Sequence, residues 1–287
     1  MFVNVDGGKI YCEISDFENL KDGRPILFVI AGGPGFDHGM YKNSPADFES
    51  FAHVVYHDAR NCGKSSGFDL DSCTLEQHAK DIECIRKHFG FSKIAVLGTS
   101  YGSMVAMNYA INCSKYIENL VLVAGAPSHQ FLDDAKKNVE EHGTAEQIDI
   151  CKRYLWDGKF TTQDQVIEFL ITMRPLYSKK VKANLALNPG EKIVMDVKVS
   201  FDVLNYAFAN YFREFDLVPE LSKISCQTLI MSGSEDWIND PRQALIMHEK
   251  IAGSILHVFD SGHSIAVDQP IEYARVIGKF LASDVIC

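Results

Sequence analysis

The sequence predicts an α/β protein with a doubly wound, mostly parallel sheet into which a helical cap is inserted. Two observations support this prediction. Short, continuously apolar runs alternate with segments of helical periodicity, which is typical of a parallel sheet covered by helices on both faces. The alternation then stops between about Pro127 and Leu217, where the spacing of apolar residues is helical throughout.

The individual elements follow from this pattern in chain order. An alternating segment around Gly7 and Gly8 predicts a two-stranded hairpin that turns at the glycines. Continuous apolar runs, many of them β-branched, predict strands buried on both faces, at residues 26–30, 54–56, 94–97, 120–123, 228–231 and 255–259. Helical spacing predicts helices at residues 74–89, 104–111, 241–251 and 271–281.

The same pattern divides the chain into two parts. Residues 1–126 and 218–287 are predicted to form the α/β core, and residues 127–217 are predicted to form the helical cap. The cap segment is rich in aromatic side chains, and we expect most of these rings to pack within the cap itself. They are Tyr154, Trp156, Phe160, Phe169, Tyr177, Phe201, Tyr206, Phe208, Tyr211 and Phe212.

The charge balance limits the classes of partner. The 287-residue chain has a formal net charge of −10 at pH 7, whereas nucleic acids and anionic membranes require a basic surface. We therefore expect no nucleic-acid or membrane partner, and a small molecule or short peptide as substrate. No apolar run approaches the roughly 20 residues needed to span a bilayer, and the N-terminal sequence lacks the pattern of a secretory signal. These features predict a cytoplasmic protein.

The eight cysteines are scattered along the chain. They form no Cys-x-x-Cys pair, and no two histidines have the spacing of zinc ligands. We expect free thiols in a reducing compartment rather than a disulfide framework.

Gly98-Thr99-Ser100-Tyr101-Gly102 matches G-x-S-x-G, a sharp strand-to-helix turn that exposes a nucleophilic serine. The run at 94–97 directly precedes this match and a predicted helix follows it, as the turn requires. Residues 63–67 give a second match around Ser65, but neither a strand nor a helix adjoins it. Ser100 is therefore the predicted nucleophile, and Ser65 is the less favoured alternative.

Residues 63–65 also resemble the end of a phosphate-binding loop, G-x-x-x-x-G-K-S. Asp58 stands where that loop begins with glycine, and a carboxylate there would repel a phosphate. No predicted helix follows whose N-terminus would bind the phosphate. The sequence therefore argues against nucleotide binding.

A nucleophilic serine needs a histidine as base and a carboxylate that orients the histidine. In the α/β-hydrolase fold these residues follow the serine in the order acid, histidine. His263 is the one histidine in a loop just after the last predicted strand, which makes it the predicted base. Glu235 and Asp236 both follow the preceding strand. We favour Asp236, because it lies far enough beyond Gly233 for the loop to turn back toward His263.

The tetrahedral intermediate of such a reaction needs two hydrogen-bond donors for its oxyanion. The backbone N–H of Tyr101, the residue after the predicted nucleophile, is one expected donor. Ala31-Gly32-Gly33-Pro34-Gly35 follows the strand at 26–30, and its small residues allow a close approach to a substrate. We expect the backbone of Gly33 to supply the second donor.

Three motifs together resemble the proline iminopeptidase family of α/β-hydrolases. The loop at 31–35 resembles that family's H-G-G-P-G, the segment at 58–65 its D-x-R-G-x-G-x-S, and the turn at 98–103 its G-x-S-x-G-x elbow. The resemblance covers the predicted core, residues 1–126 and 218–287, and is faint in the cap. It implies an enzyme that releases an N-terminal residue, often proline, from short peptides, without metal or cofactor.

The sequence departs from the family pattern at Ala31, which replaces the loop histidine, and at Asn61, which replaces a glycine. Trp237 stands where several family members have a glutamate that binds the ammonium group of the substrate. The resemblance implies an acidic group in the cap for that ammonium, and Glu214 is our first candidate. Two alternatives are Glu168 and Asp202. Trp237 and Glu214 are thus the predicted substrate-binding residues.

Three hypotheses follow. The leading one is a serine aminopeptidase that acts on small, proline-like peptides through an acyl-enzyme. The second is a cap-bearing carboxylesterase, lactonase or amidase with an uncharged substrate, which the absence of an acid at position 237 favours. The third is a non-catalytic ligand receptor, which the presence of a complete set of catalytic residues disfavours. Serine at position 100 excludes the dehalogenase and epoxide-hydrolase mechanisms, which need aspartate there.

Overall fold

A computed structural model describes residues 1–20, 22–42, 46–188 and 197–282 of the protein. The chain begins with an antiparallel hairpin of β1 (Phe2–Val5) and β2 (Gly8–Ile14). Val5 pairs with Gly8, so the turn consists of Asp6 and Gly7, and Gly7 adopts a φ of +77°. The predicted hairpin is present, with its turn one residue earlier than the glycine pair.

The hairpin is joined to a sheet of six parallel strands. These strands are β3 (Ile26–Ile30), β4 (His53–His57), β5 (Ile94–Thr99), β6 (Ile117–Val123), β7 (Gln227–Gly233) and β8 (Ile255–Phe259). The strand order is β1-β2-β4-β3-β5-β6-β7-β8, with β2 antiparallel to β4. The structure confirms the predicted α/β class and mostly parallel sheet.

Successive side chains of the central strands enter two different hydrophobic cores. Phe28 and Ile30 of β3 belong to one core, and Leu27 and Val29 belong to the other. All four are almost completely buried. Because side chains alternate across a strand, a strand covered on both faces has no polar position, which explains its continuously apolar sequence.

The helices of the first half are α1 (Gly39–Lys42), α2 (Leu75–His88) and α3 (Tyr101–Cys113). Thr74 caps α2 by accepting a hydrogen bond from the backbone N–H of Gln77. Helix α3 begins at Tyr101, three residues before the predicted start at Met104, because it follows the turn at Ser100 directly. Both α2 and α3 contribute to the core that contains Phe28.

In the described residues between β6 and β7, the chain forms five α-helices. They are α4 (Phe131–His142), α5 (Ala145–Ile150), α6 (Gln163–Tyr177), α7 (Lys179–Leu187) and α8 (Phe201–Ala209). The ends of this segment meet: Ser128 forms a β-bridge with Asp216, and the Leu217 N–H donates to the Pro127 carbonyl at 2.8 Å. The described part of the segment is helical, as its periodicity indicates. The boundaries at 127 and 217 remain predictions.

Up to residue 282, where the described part of the chain ends, three α-helices follow β7. They are α9 (Pro241–Lys250), α10 (Ile265–Asp268) and α11 (Pro270–Ala282). Tyr273 and Ile277 of α11 pack in the core that contains Leu27, opposite α2 and α3. Helices therefore cover both faces of the sheet, which is the predicted doubly wound arrangement.

The remaining described elements are short. A π-helical turn, Cys151–Leu155, follows α5. The 3₁₀ turns are Phe17–Asn19, Phe48–Ser50, Leu70–Ser72, Ser114–Tyr116, Tyr211–Arg213 and Val218–Lys223. In the described ranges no helix combines the length and apolar character needed to cross a membrane. The seven cysteines within those ranges are free thiols, as expected, and Cys287 lies outside them.

Candidate active site

Ser100 lies in a sharp turn between β5 and α3. Its backbone has φ +54° and ψ −117°, a conformation that non-glycine residues rarely adopt. The turn requires glycine on both sides: a Cβ at Gly98 would lie 2.1 Å from the Gly102 carbonyl oxygen, and one at Gly102 would lie 2.2 Å from the Ile30 carbonyl oxygen. The strand–turn–helix context expected for the predicted nucleophile is therefore present.

The glycine-rich loop after β3 packs directly against this turn. A Cβ at Gly32 would lie 3.3 Å from the Cβ of Ser100, and the Gly32 N–H donates to the Tyr41 hydroxyl at 3.1 Å. Gly33 has a φ of +67° and lines the same cavity as Ser100 and Tyr101. The structure thus brings the two expected oxyanion donors, Gly33 and Tyr101, to the wall on which Ser100 lies.

His263 and Asp236 form a buried hydrogen-bonded pair. His263 Nδ1 is 2.7 Å from Asp236 Oδ2. The other oxygen of Asp236 accepts hydrogen bonds from the backbone N–H groups of Ile238, at 3.0 Å, and Asn239, at 2.9 Å. With both oxygens engaged, the carboxylate is held in place, and its contact with Nδ1 leaves Nε2 as the free nitrogen of the ring.

Glu235, the alternative acid, takes no part in this pair. Its side chain is exposed, and Oε1 forms an ion pair with Lys179 Nζ at 2.6 Å. Position 235 faces solvent because the chain continues from β7 with Asp236 turned inward and almost completely buried. The structure therefore brings Asp236, and not Glu235, to His263.

Ser65, the alternative nucleophile, is buried and hydrogen-bonded to backbone groups. Its side chain is 1% exposed. The hydroxyl donates to the Asp58 carbonyl at 2.9 Å and accepts from the Tyr11 N–H at 2.8 Å. Ser65 thus joins the segment after β4 to the hairpin and is not among the residues that line the cavity.

Ser100 and His263 open onto one cavity of about 440 Å³ between the sheet and the inserted helices. A cavity of this size fits a small substrate. Its walls are mainly apolar, with Met104, Phe131, Leu170, Leu204 and Phe208 among the lining residues. In the described ranges, Arg174 and His263 are the lining residues with basic side chains, and no aspartate or glutamate lines the cavity.

Residues 25–270 match the family model of the alpha/beta hydrolase fold, which is most of the chain. The protein belongs to this family. It is similar to the proline iminopeptidase PfmaB of Pestalotiopsis fici, with 27% identity over 93% of this chain and 94% of the relative. It is also similar to a proline iminopeptidase of Saccharolobus solfataricus, with 26% identity over 91% and 86% of the two chains. These relatives confirm the resemblance inferred from the motifs and support a hydrolase.

Solved structures show the same fold. The crystal structure of a proline iminopeptidase from Mycobacterium smegmatis aligns with a TM-score of 0.74 and 18% identity, over 98% of this chain and 97% of that one. The enol-lactonase of Burkholderia xenovorans aligns with a TM-score of 0.69 and 20% identity, over 99% and 100% of the two chains. The fold of this hydrolase is therefore shared by enzymes that act on different substrates.

The end of helix α6 positions the histidine loop of the hydrolase. The Tyr177 ring contacts the His263 ring edge-on, with centroids 5.4 Å apart, and the Tyr177 carbonyl accepts from the Ser264 N–H at 2.8 Å. Asp268 accepts from the Gly262 N–H at 2.9 Å and from the Lys179 N–H at 3.1 Å. Burial raises the pKa of Tyr177, which keeps its phenol neutral. The α6–α7 junction is therefore hydrogen-bonded directly to Ser264 and is linked through Asp268 to Gly262, the two neighbours of His263.

The D-x-R segment supports the site through buried charges. Asp58 accepts hydrogen bonds from His38 Nδ1 at 2.7 Å and from the Lys64 N–H at 2.9 Å. Burial alone would raise the pKa of Asp58, but the hydrogen bonds from His38 and Lys64 outweigh it and lower the pKa. Arg60 forms two hydrogen bonds to Asp81, at 2.7 and 2.9 Å. These ion pairs fix the segment between the sheet and α2.

The structure does not bring the predicted substrate-binding residues to the cavity. Trp237 is 3% exposed, and its ring packs edge-on against Tyr177 and Trp156. It therefore lies behind Tyr177 rather than against a substrate, because the bonds from Ile238 and Asn239 to Asp236 fold this loop tightly. Glu214 is exposed after the 3₁₀ turn and is not a lining residue.

The two alternative cap acids are also outside the cavity. Glu168 is exposed and forms an ion pair with Arg153 at 3.3 Å. Asp202 is exposed in the first turn of α8. Sequence reasoning placed acids in the cap from the resemblance alone, and nothing in their spacing indicated which side of a helix faces the cavity.

The polar lining residues that the sequence analysis missed include Tyr41, Arg174 and Asn239. Asn239 Nδ2 donates to the Ala124 carbonyl at 2.6 Å, which joins the acid loop to the end of β6. Arg174 and Glu168 are the charged residues of the segment 166–177, and the sequence does not show which of them faces the cavity. Tyr41 lies in the short helix α1, which no sequence pattern indicates.

In the described ranges one group has the geometry to bind a metal ion, Asp16, Asp22 and His53. Arg24 already forms ion pairs with both aspartates at 2.7 Å. None of these residues lines the cavity. The group therefore has no connection with the candidate active site.

Proposed function

We propose that this hydrolase is a serine hydrolase in which Ser100 attacks an acyl carbon and His263 and Asp236 complete the catalytic machinery. The observation that supports this most strongly is the 2.7 Å contact between His263 Nδ1 and Asp236 Oδ2 beside the cavity that Ser100 lines. A carboxylate that holds Nδ1–H leaves Nε2 unprotonated, which is the form that accepts a proton from serine.

The proposed reaction has two halves. In the first, His263 Nε2 removes the Ser100 proton as Oγ adds to the carbonyl carbon, and then gives that proton to the leaving nitrogen or oxygen as its bond to carbon breaks. In the second, His263 takes a proton from water as the water oxygen attacks the acyl-enzyme, and returns it to Ser100. The backbone N–H groups of Tyr101 and Gly33 stabilise the oxyanion in both halves.

For the substrate we propose an N-terminal residue of a short peptide. The support comes from relatives that are proline iminopeptidases and that match this chain over most of their length. A cavity of about 440 Å³ suits a peptide of a few residues. The proposal does not use Trp237 or Glu214 as contacts, because neither lines the cavity.

A second candidate is an esterase, lactonase or amidase that acts on an uncharged acyl group. The observation that favours it is the composition of the cavity, where no described lining residue has a carboxylate. Burying an ammonium group is costly unless a carboxylate or an aromatic face meets it. Phe169 and Tyr177 offer only aromatic faces.

A substrate panel tests the two candidates. We expect a prolyl or alanyl arylamide with a free amine to be cleaved at least about tenfold faster than its N-acetylated form, the size of one charge-assisted contact. Ser100→Ala provides the blank, and Glu214→Gln provides a control at an exposed position. Faster turnover of the acetylated compound or of a butyrate ester would reject the aminopeptidase and support the second candidate.

A further inference from the structure

Arg174 is the unusual residue of the cavity wall. It lies on α6, is half-buried and lines the cavity together with Phe169, Leu170 and Tyr177 of the same helix. Guanidinium is always charged in proteins and has five N–H donors in a planar fork. A permanent cation on a mainly apolar wall costs free energy unless an anion meets it.

The Arg174 guanidinium forms no hydrogen bond or ion pair with any residue that the structure describes, which distinguishes it from the other arginines. Every other arginine forms an ion pair with an aspartate or glutamate. These are Arg24, Arg60, Arg86, Arg153, Arg213, Arg242 and Arg275. The other arginines, on the surface and in the core, are thus paired with carboxylates. The N–H donors of Arg174, on the cavity wall, have no partner among the described residues.

The position of Arg174 along α6 relates it to the proposed base, His263. Residues three apart lie on the same face of a helix, about one turn of roughly 5 Å along the axis. Tyr177, three residues after Arg174, contacts the His263 ring. His263 is the group that protonates the leaving atom in the proposed reaction. Arg174 therefore lines the cavity about one helical turn along α6 from the residue that contacts the proposed proton donor.

We infer that Arg174 binds a carboxylate on the leaving group, and this inference rests on the proposed function. The free C-terminus of a dipeptide is such a carboxylate, since it lies two bonds from the leaving nitrogen. Carboxylate and guanidinium match as a two-hydrogen-bond pair. The cavity wall gives this pair a drier environment than the surface, which strengthens it. The substrate class is thus a dipeptide or another acyl compound with an acidic leaving group.

The test compares prolyl-alanine with prolyl-alaninamide, which differ only in the charge of the C-terminus. We expect wild-type kcat/KM to be at least about tenfold higher for the free acid, as one charge-assisted pair supports. Arg174→Met should abolish this preference by lowering kcat/KM for the acid and not for the amide. Arg174→Lys should keep part of it, because lysine retains the charge without the planar fork.

Lys180→Met is the matched control. It removes the same charge from an exposed position that does not line the cavity, so it should leave the preference unchanged. Equal hydrolysis of acid and amide by the wild type, or an equal loss in Lys180→Met and Arg174→Met, would overturn the inference and leave the serine aminopeptidase intact.

A second measurement decides the inference without peptide cleavage. Hexanoate and hexanamide are compared as protectants of the wild-type protein against a fluorophosphonate. We expect hexanoate to protect at least about fivefold better, and Arg174→Met to remove the difference. Equal protection by the two compounds would reject carboxylate binding. Failure to cleave any peptide, with this protection pattern present, would reject the aminopeptidase alone.

Discussion

Ser100 has the backbone geometry that an exposed nucleophile needs. Its φ of +54° is unfavourable for a residue with a side chain. The conformation persists because the Ser100 N–H donates to the Val123 carbonyl at 2.8 Å and because Gly98 and Gly102 leave room for the turn. The hydrogen bond to Val123 and the room left by the two glycines thus hold Ser100 in its strained conformation, which places its hydroxyl on the cavity wall.

The assignment of the acid gives a prediction at the residue scale. Asp236→Asn should lower kcat by about 10⁴, because an amide would stabilise the wrong tautomer of His263. Glu235→Gln should lower kcat by less than about tenfold, because its ion pair with Lys179 is exposed. Steady-state kinetics of the two variants with one substrate makes the comparison. Equal losses would show that the acid is assigned wrongly.

Sequence reasoning was most successful for single residues that a motif fixes. Ser100 and His263 could be proposed because the turn and the last strand each have a recognisable neighbourhood, and the structure shows the expected turn at Ser100 and the expected loop at His263. The sequence favoured Asp236 over Glu235 only through its distance from Gly233, and the structure adds which side of the loop each residue faces. Trp237 was predicted near a substrate because it follows Asp236 where several family members have a glutamate, whereas packing against Tyr177 turns its ring into the core.

At the scale of elements, the inserted helices and the core meet at the histidine loop. Asp268 accepts hydrogen bonds from the N–H groups of Lys179 and Lys180 at the start of α7, and from Gly262 beside His263. The negative charge suits the N-terminus of a helix. One carboxylate therefore joins the start of α7 to the loop of the proposed base, His263.

Asp268→Asn tests this connection. The amide has one acceptor oxygen instead of two, so we expect the free energy of unfolding in urea to fall by about 1.5–3 kcal/mol, the range for hydrogen bonds to a charged group. Activity should fall as well, because Gly262 precedes His263. Asp260→Asn is the control, since Asp260 is 77% exposed in its ion pair with Lys179, and it should change stability by less than about 1 kcal/mol. Similar losses in both variants would contradict this role of Asp268.

The strands and helices of the core could be predicted because their periodicity reports how many faces are buried. The contact between α6 and the histidine loop could not. It joins residues distant in sequence, and the apolar spacing of α6 identifies a buried face without identifying what covers it. Arg174 was overlooked for the same reason, because its neighbours across the cavity come from the core.

At the scale of the whole molecule, two buried histidines link the sheet to its covering helices. His57 of β4 and His78 of α2 have their Nε2 atoms 2.8 Å apart, and His78 Nδ1 is 3.3 Å from the Tyr101 hydroxyl of α3. Burial lowers the pKa of His57 from 6.5 to about 4, and burial, together with the nearness of His57 and Arg60, lowers the pKa of His78 well below 6.5. Both rings are therefore neutral in the folded protein near pH 7.

These pKa values give the sign of a pH effect on stability. In the unfolded chain His57 binds a proton near pH 6.5, whereas in the folded protein it does so only near pH 4. Between these pH values the unfolded chain binds more protons than the folded protein, so stability falls as the pH decreases. His78→Gln removes one such group. Between pH 8 and pH 5 both proteins should lose stability. The decrease in the free energy of unfolding should be about 1–2 kcal/mol smaller in His78→Gln than in the wild type.

The control for this pH effect is His142→Gln. His142 is 65% exposed, so we expect this variant to keep the pH dependence of the wild type. Urea unfolding followed at pH 8, 6 and 5 measures all three proteins. Identical decreases in stability for the wild type and His78→Gln would contradict the neutral buried pair.

The class of the whole fold could be predicted from the sequence, whereas the chemistry of the cavity could not. The walls combine residues from the loop after β3, from α6 and α8, and from the segment around His263. Only their three-dimensional arrangement shows that Arg174 lies inside and that Glu214 lies outside. The sequence could not choose among the cap acids, because a resemblance that is faint in the cap does not place individual side chains there, and the structure puts Glu214, Glu168 and Asp202 outside the cavity lining.

The most direct test of the central claim is to identify the residue that a fluorophosphonate modifies. The wild-type protein should gain one phosphonyl adduct, which tandem mass spectrometry of its peptides should locate on Ser100, and Ser100→Ala should gain none while remaining folded. Labelling should be much slower in His263→Ala, because the base that activates the hydroxyl is then missing. An adduct on Ser65, or a folded wild-type protein that remains unmodified, would contradict the account.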